Sequence, residues 1–219
     1  MKMCAQYILN CWASELAQKY SVPIQEDSKV EFRALPYSPA IVVVENQTRQ
    51  FQKMKFSLVP AWSEVPKLKF ATHNARIETI LQKPTWKQAI LSQHCLIPMS
   101  EFVESVVENK YAGNMVKFSG TQGALLTAAG LWDRWTDPDT QEVLHSFTII
   151  TDEPSDFIRD VGHDRSPLFL KEEAFSNWLQ PSKQAADTNW VEFLKHNRYH
   201  PELKVEIDRP LKAGWEKRK

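Results

Sequence analysis

The chain has 219 residues, and its 27 basic side chains balance its 27 acidic ones, so the formal net charge is zero. Hydrophobic residues make up 42% of the sequence and charged residues 25%, which is typical of a globular domain with a sizeable core. This balance excludes a strongly basic nucleic-acid-binding protein, although a neutral chain can still carry a local basic groove. No apolar run is long enough to predict a membrane-spanning helix or a secretory signal, so we expect no membrane partner.

The three cysteines are few, odd in number and without the spacing of metal ligands: Cys4, Cys11 and Cys95. We therefore predict free thiols in a reducing cytoplasm, and neither a metal site nor a cofactor. Eight tryptophans are many for this length. Each is either part of an aromatic core or a surface on which a nucleobase stacks.

The first half of the chain predicts one hairpin and two helices. Asn10 is expected to cap a helix that runs to about Tyr20. A β-branched run at 40–45 and an alternating run at 51–59 flank a turn-like segment, which predicts a β-hairpin. A helix with proline at its start is expected over 84–91.

The second half alternates short strands with short helices. Strands are predicted at 95–97, 101–107, 115–118, 124–132, 145–151 and 203–207, and helices at 154–160, 172–179 and 189–196. This order indicates an α+β fold, a single domain over residues 1–219. Its core is expected to be a curled, mostly antiparallel, barrel-like sheet with short flanking helices. A short basic tail is expected from about residue 212.

Two segments in the first half carry side chains suited to chemistry. Cys4 stands close to the first residue, where it is either a nucleophile or a buried structural thiol. The segment 72–78 (Thr-His-Asn-Ala-Arg-Ile-Glu) is densely polar directly after Phe70 and Ala71. It is either a functional segment or a solvated loop with a surface ion pair.

Two further segments of this kind lie in the second half. In 97–104, strand alternation puts Glu104 on the face of Phe102, so a carboxylate is expected where an apolar side chain points. The alternative is an edge strand with Glu104 in water, because a buried carboxylate needs partners. In 161–167 (Val-Gly-His-Asp-Arg-Ser-Pro), His163 follows a predicted helix and is either functional or a surface histidine in a helix-ending turn.

The order of these four segments resembles the SRAP family, the SOS-response-associated peptidases. The family pattern is an N-terminal Cys, then Asn-Ala-Arg-x-Glu, Pro-x-x-x-Phe-x-Glu and His-x-Arg-x-Pro. Supporting matches are Leu-Val-Pro-Ala-Trp at 58–62, Ala-Gly-Leu-Trp at 129–132 and Thr-Ile-Ile-Thr at 148–151. Each motif alone is only weakly specific for this family, but the whole set in this order is strongly specific for it. It extends from Cys4 to about Leu179.

The resemblance implies a role for each matching residue. Cys4 would be the nucleophile, and Asn74 would orient its amino group and the sugar. Glu104 would shuttle protons, and His163 would exchange a proton with the sugar oxygen as the abasic ring opens. The resemblance implies DNA contacts for Arg76 and Trp62, and Arg33 and Arg165 are further predicted DNA contacts.

The chemistry implied is covalent capture of an abasic site. The opened sugar exposes an aldehyde, which condenses with a primary amine to an imine, and the adjacent thiol then closes a thiazolidine ring. As written, Cys4 is internal and its nitrogen is an amide, which cannot form the imine. The reaction therefore needs translation from Met3 followed by removal of that methionine, which we favour, or cleavage of residues 1–3.

The chain departs from the family pattern around the site. The Cys-Gly-Arg opening is Cys-Ala-Gln at 4–6, and the Asn of a Tyr-Asn-x-x-Pro segment is missing from 32–36, where Arg33 is a candidate to replace the lost charge. Other departures fall at 56–57, 100–101, 105 and 166. These changes indicate a divergent member with an altered DNA-binding surface.

Three functions follow as hypotheses. The first is a monomeric protein of the DNA damage and SOS response that binds single-stranded DNA and crosslinks to abasic sites. The second is a Cys-dependent peptidase, a hydrolase acting on its own N-terminus, with Cys4 activated by His163 and Glu104. The third is a non-covalent single-stranded DNA-binding module. A lyase activity is also compatible with the first hypothesis, the crosslinking protein.

Overall fold

The computed structural model describes residues 6–46, 48–181 and 188–218. Its helices are α1 (Ala13–Tyr20), α2 (Pro84–Lys87), α3 (Ala89–Ser92), α4 (Asp156–Val161), α5 (Phe175–Leu179) and α6 (Trp190–Asn197). Its strands are β1 (Gln6–Trp12), β2 (Lys29–Ala34), β3 (Pro39–Asn46), β4 (Thr48–Phe56), β5 (Asn74–Arg76), β6 (His94–Met99), β7 (Glu101–Val106), β8 (Asn114–Gly120), β9 (Leu126–Thr136), β10 (Val143–Asp152), β11 (Ser166–Pro167) and β12 (Leu203–Pro210).

Five strands close into a barrel. Their order is β10-β4-β3-β6-β9, and β9 pairs with β10 to complete the ring. These pairings are antiparallel except β10 with β4, which is parallel, and the short β5 adds to β10, also in parallel. The structure thus confirms the predicted α+β class and barrel-like core.

Gly130 of β9 is packed closely against neighbouring strands of the barrel. A Cβ atom at this position would lie 2.4 Å from Ile97 Cδ1 and 2.8 Å from the carbonyl oxygen of Thr148. The strand pairs with β6 and β10 at this same residue. The barrel therefore closes here because the residue has no side chain.

A second sheet, of order β12-β8-β7-β1-β2, packs one face against the barrel. Tyr7, Phe102 and Phe118 from this sheet share a buried cluster with Phe56 and Phe147 of the barrel. In a flat sheet β12 and β2 would lie about 19 Å apart. They instead touch through an Arg33–Asp208 ion pair of 2.7 Å, so the sheet is strongly curled.

The predicted cap of the first helix is wrong. Asn10 lies inside β1, and its N–H donates to Ser100 Oγ at 2.9 Å. The helix begins at Ala13, where the Glu15 carboxylate accepts from the Trp12 N–H at 2.8 Å. Alternate burial along β1 shows that its apolar residues follow a strand period, which prevailed over the capping preference of asparagine.

The hairpin predicted around residues 46–48 is confirmed, since β3 and β4 pair antiparallel from Pro39–Lys55 to Asn46–Thr48. The helix predicted over 84–91 is present as α2 and α3.

Among the described helices, none has both the length and the apolar character needed to cross a bilayer. The single-domain boundaries and the basic tail stay predictions, and within that tail Trp215 lies against Gly113.

Candidate active site

Glu104 is a carboxylate buried in the face of β7 that packs on the barrel. It is 1% exposed, and Phe102, two residues earlier on the same face, is fully buried. The expectation of a carboxylate in an apolar position is thus confirmed, and the alternative of a solvated edge is wrong. Among the described residues, Glu104 Oε1 has no hydrogen-bond partner. Such a group is costly in a purely structural role, which favours a role in chemistry.

His163 is the partner of this carboxylate. Helix α4 ends at Gly162, whose φ of 107° turns the chain sharply, and His163 follows, 2% exposed. Its Nε2 lies 3.1 Å from Glu104 Oε2, and its Nδ1–H donates to the Arg165 carbonyl oxygen at 2.9 Å. The alternative of a surface histidine is therefore wrong.

The surroundings of His163 favour its protonated form. Burial by itself would lower the pKa of the imidazole. The carboxylate of Glu104, the Arg165 carbonyl and Asp164 outweigh burial and raise the pKa of His163 to about 9. Both ring nitrogens face acceptors, as an imidazolium requires. At neutral pH His163 can therefore donate a proton.

His163 also lines a cavity of about 480 Å³. The wall near it includes Glu108, Asn109, Glu153 and Asp164. A buried pair of titratable groups at the wall of a cavity is the arrangement expected of an acid–base site.

Asn74 and Arg76 lie on β5, in register with Ile149 and Thr151 of β10. Both line a second cavity, of about 600 Å³. Half of the residues around it are aromatic or basic: Trp62, Phe70, Arg76, Lys83 and Trp86. This combination suits a single nucleic-acid strand, whose bases stack and whose phosphates are anionic.

Trp62 is presented to this cavity by a loop fixed at two points. The Val59 N–H donates to Ser146 Oγ at 2.8 Å, and the Ala61 N–H donates to Asp133 Oδ2 at 2.9 Å. The indole itself remains 56% exposed. Trp62 is therefore a rigidly held aromatic surface rather than part of the core.

Arg165 connects the His163 turn to β5 and β10. It is buried, and its guanidinium donates to both carboxylate oxygens of Glu78, at 2.5 and 3.0 Å, and to the Thr151 carbonyl at 2.8 Å. Thr151 pairs with Arg76. A phosphate would have to displace Glu78 to bind this guanidinium, so the contacts are those of a positioning residue. The predicted DNA contact of Arg165 stays a prediction.

Arg33 lies on the outer face of the curled sheet. Its guanidinium donates to both oxygens of Asp208, at 3.1 and 2.7 Å, and to Gln6 Oε1 at 3.2 Å. Its predicted DNA contact also stays a prediction.

Cys4, the predicted nucleophile, lies outside the described residues. The described chain begins at Gln6, which pairs with Val103, the neighbour of Glu104. The two described cysteines, Cys11 and Cys95, are buried free thiols, as predicted. Burial, and then Glu15, raises the pKa of Cys11 to about 11, and burial also raises that of Cys95, so neither is an activated thiol.

The aromatic and basic residues of the larger cavity that were not predicted as site residues from the sequence are Phe70, Lys83 and Trp86. Phe70 and Ala71 precede the polar segment 72–78, and Trp86 lies on a predicted helix. An aromatic residue next to a polar segment, or on a short helix, can indicate a binding surface. It is equally compatible with a place in the core.

Comparison with known proteins identifies the family of this chain. The sequence model of the SOS response associated peptidase (SRAP) family matches residues 3–206. The chain therefore belongs to the SRAP family.

Relatives with similar sequences are named abasic site processing proteins. YoaM of Bacillus subtilis (strain 168), an abasic site processing protein, is 25% identical over 189 residues, covering 84% of this chain and 82% of the relative. The abasic site processing protein HMCES of Xenopus tropicalis is 27% identical over 184 residues, covering 72% of this chain and 53% of HMCES. The chain thus spans about half of HMCES.

Solved structures share the fold. A protein from Bacteroides thetaiotaomicron superposes with a TM-score of 0.74 at 22% identity, covering 94% of this chain and 92% of that one. A protein from Bordetella bronchiseptica superposes with a TM-score of 0.72 at 23% identity, covering 94% of this chain and 100% of that one.

Proposed function

We propose that this protein binds single-stranded DNA and captures abasic sites covalently through Cys4 as its first residue. The observation that carries the proposal is the buried Glu104–His163 pair at 3.1 Å, beside the strand where the described chain begins. The names of the relatives YoaM and HMCES support the same lesion as substrate.

Chain geometry supports Cys4 as the reacting residue. Gln6 pairs with Val103, next to Glu104. Only one residue separates Cys4 from Gln6 in the sequence, so the described start of β1 beside Glu104 supports the proposal.

The reaction has two bond-forming steps. The α-amine attacks the C1 aldehyde carbon of the opened sugar, and the resulting carbinolamine loses water to give an imine. The Cys4 sulfur then adds to the imine carbon, and its proton ends on the nitrogen, which closes the thiazolidine. Loss of water needs a proton donor, for which the His163 imidazolium beside Glu104 is suited.

The aromatic and basic cavity is the proposed path of the DNA strand. Trp62 and Phe70 offer faces for stacking, and Arg76 and Lys83 offer charges for phosphates. Asn74 lies on the same wall, where its amide is proposed to orient the sugar and the amine.

Incubation with an abasic oligonucleotide tests the proposal. Protein whose first residue is Cys4, verified by intact mass, is mixed with a single-stranded oligonucleotide that carries one abasic site. We expect a product that survives denaturation and has the summed mass of protein and DNA minus one water.

Two controls make the result specific. The same oligonucleotide with an intact base should give no product. Cys4→Ser keeps the amine but lacks the thiol, so its imine should survive denaturation only after borohydride reduction. Absence of a product from the unmodified sequence at neutral pH contradicts covalent capture, and strand binding that survives Cys4→Ala would then favour the non-covalent module.

A Cys-dependent peptidase is the second candidate, because a histidine oriented by a carboxylate can also serve a thiol nucleophile. The protonated state favoured for His163 suits a proton donor better than a base. Intact mass of protein translated from Met1, followed over a long incubation, decides this: an unchanged mass argues against self-cleavage.

A further inference from the structure

Four polar side chains join the two edges of the curled sheet to the start of β1. Arg33 of β2 donates to Asp208 and to Gln6, as described above. Arg209 of β12 donates to Gln6 Oε1 at 2.9 Å and is also ion-paired with Asp208. We call Gln6, Arg33, Asp208 and Arg209 the sheet clamp.

The clamp depends on an irregularity in β12. Pairing of β12 with β8 shifts register between Ile207 and Arg209, so Asp208 is the extra residue of a β-bulge. A bulge re-aims side chains, and the Asp208 side chain is only 10% exposed between two guanidiniums. Burial tends to raise its pKa, but the hydrogen bond from Arg33 dominates and lowers it, so Asp208 is a carboxylate at neutral pH.

The clamp spans the strand that carries Glu104. In the sheet order, β8 and β7 lie between β12 and β1, so the contact from Arg209 to Gln6 crosses both. Val103 of β7 pairs with Gln6 on one side and Lys117 on the other and is 1% exposed. Polar side chains thus cover the outer face of the sheet directly behind Glu104.

The clamp also lies at the limit of the family match, which ends at residue 206. Asp208 and Arg209 are therefore features of this chain outside the matched region.

We infer that Asp208 and Arg209 are positioning residues for the N-terminal cysteine, because they fix Gln6, two residues from Cys4, against β7. This inference rests on the proposed function, since it concerns the placement of its nucleophile. Two guanidiniums share one carboxylate in the clamp, and the inference concerns how these contacts hold Gln6 in place. Loss of the clamp should slow adduct formation at saturating DNA without weakening DNA binding.

The test compares Asp208→Asn with Asp208→Glu and with Glu206→Gln. Glu206 lies on the same strand and is ion-paired with Lys117, so its substitution matches the change of charge and leaves the clamp intact. The rate of adduct formation is measured against the concentration of abasic oligonucleotide. We expect Asp208→Asn to lower the saturating rate about tenfold with the half-saturating concentration unchanged. Asp208→Glu should regain most of the rate, and Glu206→Gln should keep it.

A second measurement does not depend on the reaction. Hydrogen exchange of peptides that cover β1 should be faster in Asp208→Asn and in Arg209→Gln, and unchanged in Glu206→Gln. Equal rates and equal exchange in Asp208→Asn and Glu206→Gln would overturn the clamp and leave the proposed function standing. If the unsubstituted protein forms no adduct, the proposed function fails and the catalytic role of the clamp fails with it.

Discussion

His163 holds its proton because of the groups that surround it, and this makes stability depend on pH. The pKa of His163 in the folded protein is about 9, whereas the ordinary value for histidine is 6.5. The stabilisation is therefore fully present below about pH 6.5 and is lost as the pH rises through about 9. A rise of this size corresponds to on the order of 3 kcal/mol.

We expect the free energy of unfolding to fall between about pH 6.5 and pH 9.5, and this fall to be much smaller in His163→Gln. Urea denaturation at several pH values measures it. His200, whose side chain is exposed, gives the matched control His200→Gln, which should keep the slope of the unsubstituted protein. An equally steep fall in His163→Gln would assign the pH dependence to other groups.

Trp62 is the aromatic residue most open to a nucleobase at the larger cavity. We expect Trp62→Ala to weaken binding of a single-stranded oligonucleotide by about 1–3 kcal/mol, measured by fluorescence anisotropy at fixed salt. Trp12 is 49% exposed on the other sheet, so Trp12→Ala is the matched control and should bind normally. Equal losses in both variants would remove the cavity from the DNA path.

Among the secondary-structure elements, the end of α4 decides where His163 points. Gly162 has a φ of 107°, and a Cβ atom there would lie 3.1 Å from the Glu108 carbonyl oxygen. We expect Gly162→Ala to destabilise the fold by about 1–3 kcal/mol and to slow adduct formation. Gly123 has a φ of 75° with open space around it, so Gly123→Ala controls for backbone strain.

In these two variants, thermal denaturation and the rate of adduct formation separate strain from positioning. Both substitutions should lower the melting temperature, but only Gly162→Ala should slow the reaction of the folded protein. A full reaction rate in folded Gly162→Ala would show that the turn does not position His163.

The elements that the sequence predicted are those with a strong local pattern. The β3–β4 hairpin and the long β10 have β-branched or alternating runs that specify strands without outside help. Strand β5 has only three residues and exists because β10 offers it a free edge, so no local signal could predict it. Strand β1 was missed because Asn10 suggested a helix cap, whereas its partners β2 and β7 impose the strand.

Over the whole molecule, the net charge is zero, so the proposed DNA binding depends on local clusters of basic side chains. For a single strand, each neutralised phosphate contributes about 0.7 to the slope of log affinity against log salt. We expect Arg76→Gln to reduce this slope by about 0.7 in a salt titration, and Lys29→Gln, on the opposite sheet, to leave it unchanged. An unchanged slope in Arg76→Gln would mean that Arg76 touches no phosphate.

Some features of the candidate site were predictable from the local sequence, and others depend on contacts between distant parts of the chain. Asn74, Glu104 and His163 were identified from residue types in a family-like order, and the burial of Glu104 followed from strand alternation. Their chemistry was not predictable from local sequence, because the Glu104–His163 contact joins strand β7 to the turn after α4, about 60 residues further along the chain. Arg33 and Arg165 were predicted to contact DNA, and the structure gives both guanidiniums carboxylate partners that are distant in the sequence.

The sequence by itself determined the family, the class of fold and the residue types available for catalysis, because motif order and hydrophobic period are properties of the linear chain. Only the tertiary structure decided which of those side chains are buried, paired and protonated. Burial and charge pairing are set by neighbours far apart along the chain. The same long-range contacts bring β2 and β12 together and create the clamp behind Glu104.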